Sequence, residues 1–197
     1  MKKDREISSD LLDLAKKLLT DNSVNEMLDL SKQYFVKLQQ TKVKRRLYEL
    51  LEEQTPNNSM NAKPLLDYAA LDISHLSSRS RSVVQTASAS IDDLCGFLLL
   101  EHGVNRKNMP MGRVLTNPEL KKILEPELIE NLQIYNEIVN VPAKHDFRNL
   151  SDKSHRFSVP DSVCIIFIVS HLTRILSSKF TKQHELWHNS EFVGKKL

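Results

Sequence analysis

The sequence predicts an all-α fold, a helical bundle with an N-terminal helical extension, and three observations carry that prediction. Apolar residues recur at spacings of three and four along most of the chain. Patterns of the form Ser/Thr-x-x-Glu/Asp stand ahead of several of these runs, and proline or glycine closes others. Neither the period-two alternation of a half-buried strand nor a hairpin dipeptide is present.

The first helix is expected to open near Ser9 or Asp10, with Leu11, Leu12, Leu14, Ala15, Leu18 and Leu19 on its apolar face. Ser23-Val24-Asn25-Glu26 has the form of a capping box, in which the serine oxygen accepts an orphan N–H and the glutamate reaches back. The helix expected after it is long. Its stripe of Val24, Met27, Leu28, Tyr34, Phe35 and Leu38 slips phase through Lys42-Val43-Lys44-Arg45-Arg46 into Leu47, Leu50 and Leu51. The basic cluster reads as a solvated helix face, with phosphate binding as the alternative. Thr55-Pro56-Asn57-Asn58-Ser59 is a breaker, and it places a boundary between an N-terminal helical hairpin, residues 1–55, and the main bundle, residues 56–197.

In the second part a short helix is expected from Pro64 to Leu71. Ser77 to Ser82 alternates serine with arginine and reads as a polar approach to a helix from Val83 to His102, ended by a left-handed Gly103. Val104 to Val114 reads as an irregular loop. Thr116-Asn117-Pro118-Glu119 is a second capping box, with proline in the first turn where its missing N–H costs nothing. The helix it starts carries Leu120, Ile123 and Leu124, bends or restarts at Pro126, continues through Leu128, Leu132, Tyr135, Ile138 and Val139, and is expected to stop at Pro142. A polar connector from Ala143 to Phe157 leads to a third box, Ser158-Val159-Pro160-Asp161. The helix beyond it is apolar around most of its circumference through Ile165, Ile166, Ile168, Val169, Leu172, Ile175 and Leu176, as a central core helix must be.

Composition narrows the function classes. A chain of 197 residues can bury a core without disulfides or metals. Four glycines, with no G-x-G-x-x-G and no G-x-x-x-x-G-K-[ST], exclude dinucleotide and P-loop chemistry. With 28 basic against 25 acidic residues the surface is mixed rather than polybasic. Cys95 and Cys164 sit inside apolar runs, where a thiol packs as a small hydrophobe. The opening MKKDREISSD has no apolar signal region, and the longest apolar stretch, Val163 to Val169, is too short to span a bilayer. A cytoplasmic protein with no membrane partner is the expectation.

Two histidine constellations could carry chemistry. The connector holds Lys144-His145-Asp146-Phe147-Arg148-Asn149 and closes on His155-Arg156-Phe157. An imidazole facing a guanidinium suits phosphodiester work: the histidine moves the proton of an RNA 2′-hydroxyl while the arginine binds the phosphate and its developing charge. Arg148-Asn149-x5-His155 matches the R-x(4–6)-H signature of the HEPN superfamily, at the long end of its spacing. Tyr135-Asn136, Lys144-His145, His155-x-Phe157-Ser158 and Asp161 are similar to the surroundings of that signature in some branches. The resemblance covers roughly Val83 to Lys179. It implies an α-helical, commonly dimeric bundle in which Arg148 and His155 of two subunits face a shared cleft. It further implies a metal-independent endoribonuclease, or an RNA-binding relative that has lost activity, in toxin–antitoxin, phage-defence or RNA-processing systems. RNA, a second copy and an antitoxin or regulatory protein are the implied partners, and no cofactor is expected. Lys144, His145 and Asn149 are secondary candidates.

The same residues admit a non-catalytic reading. In it Arg148 pairs with Asp146 on the surface, His155 packs at the helix entry, and the bundle serves as a protein–protein interaction module. A third reading rests on His184-Glu185-Leu186-Trp187-His188, a literal H-E-x-x-H whose histidines fall one helical turn apart and can share a zinc ion, with Glu185 activating its water. Its frame is poor. Lys182 and Ser190 stand where a zinc peptidase has apolar residues, and Glu191 is the nearby candidate for a third ligand. Leu186 and Trp187 read better as anchors of a C-terminal helix on the core.

Overall fold

The computed structural model describes residues 6–53, 76–105, 109–144 and 157–181, and every regular element among them is helical. Helix α1 is Ser9–Leu18, α2 Asp21–Gln33, α3 Gln40–Glu53 and α4 Leu76–Glu101. Three shorter pieces follow, α5 Met111–Thr116, α6 Pro118–Ile123 and α7 Pro126–Tyr135. A π-turn over Asn136–Asn140 leads into α8, Val141–Lys144, and the last helix is α9, Val159–Ser178.

The expected core helix lies where its composition demands. Fifteen of the twenty residues of α9 are buried, which no helix packed on one side can achieve. It contacts α4 along much of its length and α1, α2 and α3 elsewhere, while α5, α6, α8 and the π-turn pack against α4. One continuous core joins residues from Leu11 in α1 to Phe180 after α9. The stretches Val83–Glu101 and Val159–Ser178 are long and apolar enough to cross a membrane, but most of each is buried inside this bundle. Helices wrapped by their own chain need that composition in water as well.

Helix ends follow capping chemistry, at positions that differ from the sequence expectation in several places. The box at Ser158 forms in full: Ser158 Oγ accepts from Asp161 N at 3.1 Å and Asp161 Oδ2 accepts from Ser158 N at 2.9 Å. Gly103 ends α4 with φ of +79°, and the chain reversal there is complete, Gly103 N donating to Leu100 O and Val104 N to Leu99 O, both at 2.9 Å. Ser23, by contrast, is inside α2. The cap is Thr20, whose Oγ1 accepts from Ser23 N at 3.3 Å, because Thr20 is the residue with extended backbone, at ψ of 156°. Likewise Asn117 rather than Thr116 caps α6. This places Pro118 at the first helical position and lets Asn117 Oδ1 accept from Glu119 N at 2.9 Å, while Thr116 closes α5 with its hydroxyl on Arg113 O.

Four element boundaries also depart from expectation. The long second helix is two, α2 and α3, separated at residues 34–39. Tyr34 and Val43 are both buried, yet nine residues of continuous helix would point them to opposite sides, so the chain must turn between them. Helix α4 begins at Leu76, seven residues before its apolar stripe, since nothing in Ser77 to Ser82 breaks a helix. The second half of the expected loop over Val104 to Val114 enters α5, where Met111, Val114 and Leu115 are buried. Pro142 does not stop the chain from coiling. The π-turn immediately before it, in which Val141 N–H reaches back five residues to Asn136 O, widens the helix where the proline ring would strike a carbonyl. The helix expected over Pro64 to Leu71, the breaker at Thr55–Ser59 and the C-terminal packing helix lie outside the described residues.

Candidate functional site

The segment that carries the phosphodiester candidates, residues 145–156, lies in the sequence between Lys144 at the end of α8 and Phe157 just ahead of α9. Both attachment points are built from buried polar contacts. At the exit, Ala143 is fully buried and its carbonyl accepts Gln85 Nε2 from α4 at 2.7 Å. One turn earlier Asn140, also buried, accepts the Ser88 hydroxyl on Oδ1 at 2.6 Å and donates through Nδ2 to Asn136 Oδ1 at 2.7 Å. The chain Ser88–Asn140–Asn136 therefore cross-links α4 to the π-turn, and such a network fixes the relative rotation of the two elements.

Tyr135 completes this cluster. Its side chain is fully buried and its hydroxyl has no hydrogen bond of good geometry, although Ser88 is near enough to act on it. Burial pushes its phenol far above the usual tyrosine range, and Cys95 adds to the shift. The hydroxyl stays protonated.

At the re-entry, Asp161 is 4% exposed and holds two helix starts at once. Its Oδ2 takes Ser158 N, and its Oδ1 takes both the backbone N–H and the hydroxyl of Ser8, each at 2.8 Å. Ser8 is the N-cap of α1, yet its hydroxyl makes no bond to its own helix because it is turned onto Asp161. The neighbouring Cys164 thiol points at Leu11 O at 3.6 Å, and burial, reinforced by the Asp161 charge, raises its pKa strongly. Cys164 and Cys95 are both buried and neither is in a disulfide, and a thiol sealed from solvent is a poor nucleophile.

Of the residues the sequence singles out, Lys144 is the final residue of α8, while His145, Arg148, Asn149 and His155 lie outside the described residues, as do His184, Glu185, His188 and Glu191. Among the described residues no three His, Cys, Asp or Glu side chains converge on a point that could hold a metal ion. A histidine–arginine contact does occur on α9, where Arg174 donates to His171 Nδ1 at 3.2 Å. Burial first, and the Arg174 charge second, hold His171 below the usual histidine range, so its imidazole is neutral.

Sequence reasoning missed the Ser88–Asn140–Asn136 chain and the clasp between Ser8 and Asp161. The first left a signal, two asparagines four apart inside an otherwise apolar helical run. The second left none, because its partners are 153 residues apart. The chain matches no family model, and no curated protein or solved structure matches it at a significant level.

Proposed function

We propose that this chain is a HEPN-like, metal-independent endoribonuclease, or an RNA-binding relative of one, that works as a homodimer in the cytoplasm within a defence or toxin–antitoxin setting, where an antitoxin or regulatory protein restrains it. The observation that supports the reading best is the anchoring of the connector. Residues 145–156 bear Arg148, Lys153 and Arg156 with His145 and His155 against two acids, Asp146 and Asp152. In the sequence they join Ala143, which is buried and bonded to Gln85, to the start of α9, where Asp161 is buried and bonded to Ser158. Catalytic and binding groups are commonly carried on segments tied at both ends to a rigid scaffold, which limits where they can go.

In this reading His155 takes the proton from a 2′-hydroxyl, the freed oxygen attacks the adjacent phosphorus, and the bond to the 5′-oxygen breaks as that oxygen regains a proton. The products are a 2′,3′-cyclic phosphate and a 5′-hydroxyl end. Arg148 binds the non-bridging oxygens as charge gathers on them. In the same reading Lys144, His145 and Asn149 bind neighbouring phosphates.

The test is cleavage of total cellular RNA by the purified chain in EDTA. Wild type is expected to cleave, and His155→Ala and Arg148→Ala to lose about a hundredfold or more of that activity while melting at the wild-type temperature. Cleavage that needs a divalent ion, or that survives both substitutions, overturns the assignment. Absence of cleavage by folded wild type, with no RNA binding, transfers the bundle to the class of interaction modules.

A further inference from the structure

We propose that the turn between α2 and α3 is a tip that binds the surface of an anionic lipid bilayer. Among the described residues, three of the five exposed large apolar side chains fall within four consecutive positions of this turn: Phe35 at 39%, Val36 at 50% and Leu38 at 88% exposure. Isolated exposed leucines are ordinary, but three exposed apolar side chains within four positions mark a contact surface. Phe35 is steadied by an edge-on packing against Tyr34, with ring centroids 6.0 Å apart, and Tyr34 itself is buried. The apolar tip therefore stands on a rigid base.

The charge around it chooses the occupant. From Lys32 to Arg46 the chain carries six basic residues and no acidic one. The two arginines are already engaged: Arg46 pairs with Glu26 at 2.6 Å and Arg45 with Glu49 at 3.1 Å. Exposed Lys32, Lys37 and Lys42 are left flanking Val36 and Leu38 on both sides of the turn. Exposed lysines before, between and after aliphatic side chains in one turn fit a bilayer, where the alkyl groups enter the boundary between headgroups and acyl chains and the ammonium groups stay among the phosphates. A second copy of this chain fits poorly, since matching tips would bring lysines together. RNA satisfies the lysines but leaves Val36 and Leu38 in water, because bases stack on aromatic faces and not on aliphatic groups. Such adsorption needs no spanning stretch, and so it lies outside what the length of the apolar runs tests.

Co-sedimentation of the full chain with vesicles decides the matter, using phosphatidylcholine alone and phosphatidylcholine with about a third phosphatidylserine. The expected result is binding to the anionic vesicles only, weakened by salt. Leu38→Ser should lower the partition coefficient about tenfold, and Lys37→Ser with Lys42→Ser about 25-fold, at roughly fivefold per lysine. These side chains are exposed, so the variants should melt as wild type does. No binding to anionic vesicles overturns the proposal, and so does binding that ignores either variant. Binding of a homopolymeric RNA that falls with the lysine pair, in a chain that ignores vesicles, reassigns the tip to nucleic acid. Because RNA cleavage through Arg148 and His155 is read separately, either proposal can fail without the other.

Discussion

Asp161 is the residue on which most depends for its size. One carboxylate, nearly sealed from water, accepts three hydrogen bonds and so fixes the first turns of α1 and α9 against each other. Bonds to a charged acceptor are worth more than neutral ones, and their loss strands the Ser8 and Ser158 amides. Asp161→Ala is expected to cost about 4 kcal/mol of stability in urea unfolding followed by circular dichroism, and Asp161→Asn about half of that, since the amide keeps one acceptor. A loss below about 1 kcal/mol for the alanine variant would mean that the clasp is open in solution. The local half of this arrangement was legible, because Ser158-x-x-Asp161 is a spacing rule within one turn. The other half, Ser8, was not: a serine at the start of a helix reads as an ordinary cap, and only the packing of α1 on α9 turns its hydroxyl elsewhere.

Among the elements, the π-turn of Asn136–Asn140 shows how a rule that is right locally gives way to packing. Pro142 should end a helix, yet the chain keeps coiling to Lys144, and the extra width of the preceding turn accommodates the ring. That width also delivers Asn140 to Ser88. Ser88→Ala and Asn140→Ala are expected to destabilise by about 1 and 2 kcal/mol, and the double variant by about 1 kcal/mol less than their sum, since removing both partners leaves fewer stranded groups. Strict additivity would show that the two side chains do not bond. Helix existence was legible almost throughout, because burial stripes repeat every turn. Boundaries were less so: the start of α4 at Leu76 and the caps at Thr20 and Asn117 depend on which of several competent residues adopts extended backbone. The break between α2 and α3 left a trace in the sequence only as a phase slip read at Lys42 to Arg46, inside α3, whereas the chain turns at residues 34–39, and the outward apolar tip needed the geometry.

For the molecule as a whole, α9 decides cohesion. It is packed by α1, α2 and α3 as well as by α4, its Ser170 hydroxyl bonds Leu50 O of α3 at 2.6 Å, and Lys179 at its end pairs with Glu125 at the start of α7, holding that carboxyl below its usual range. The first three helices therefore complete the core. A chain lacking residues 1–53 is expected to lose its cooperative thermal transition, and in the intact chain slow amide exchange should be as strong in α1 and α3 as in α4. A truncated chain that still melts sharply would contradict this. The clasp between Ser8 and Asp161, with its span of 153 residues, also sets a clock on biosynthesis. At ordinary elongation rates the ribosome takes on the order of ten to thirty seconds to pass from one partner to the other. Throughout that interval Leu11, Leu14, Met27 and Leu47 have been made and the helix that covers them has not. The nascent chain is thus a natural client for a chaperone at the tunnel exit, and its N-terminal third waits for a helix made near the end of synthesis before its core closes.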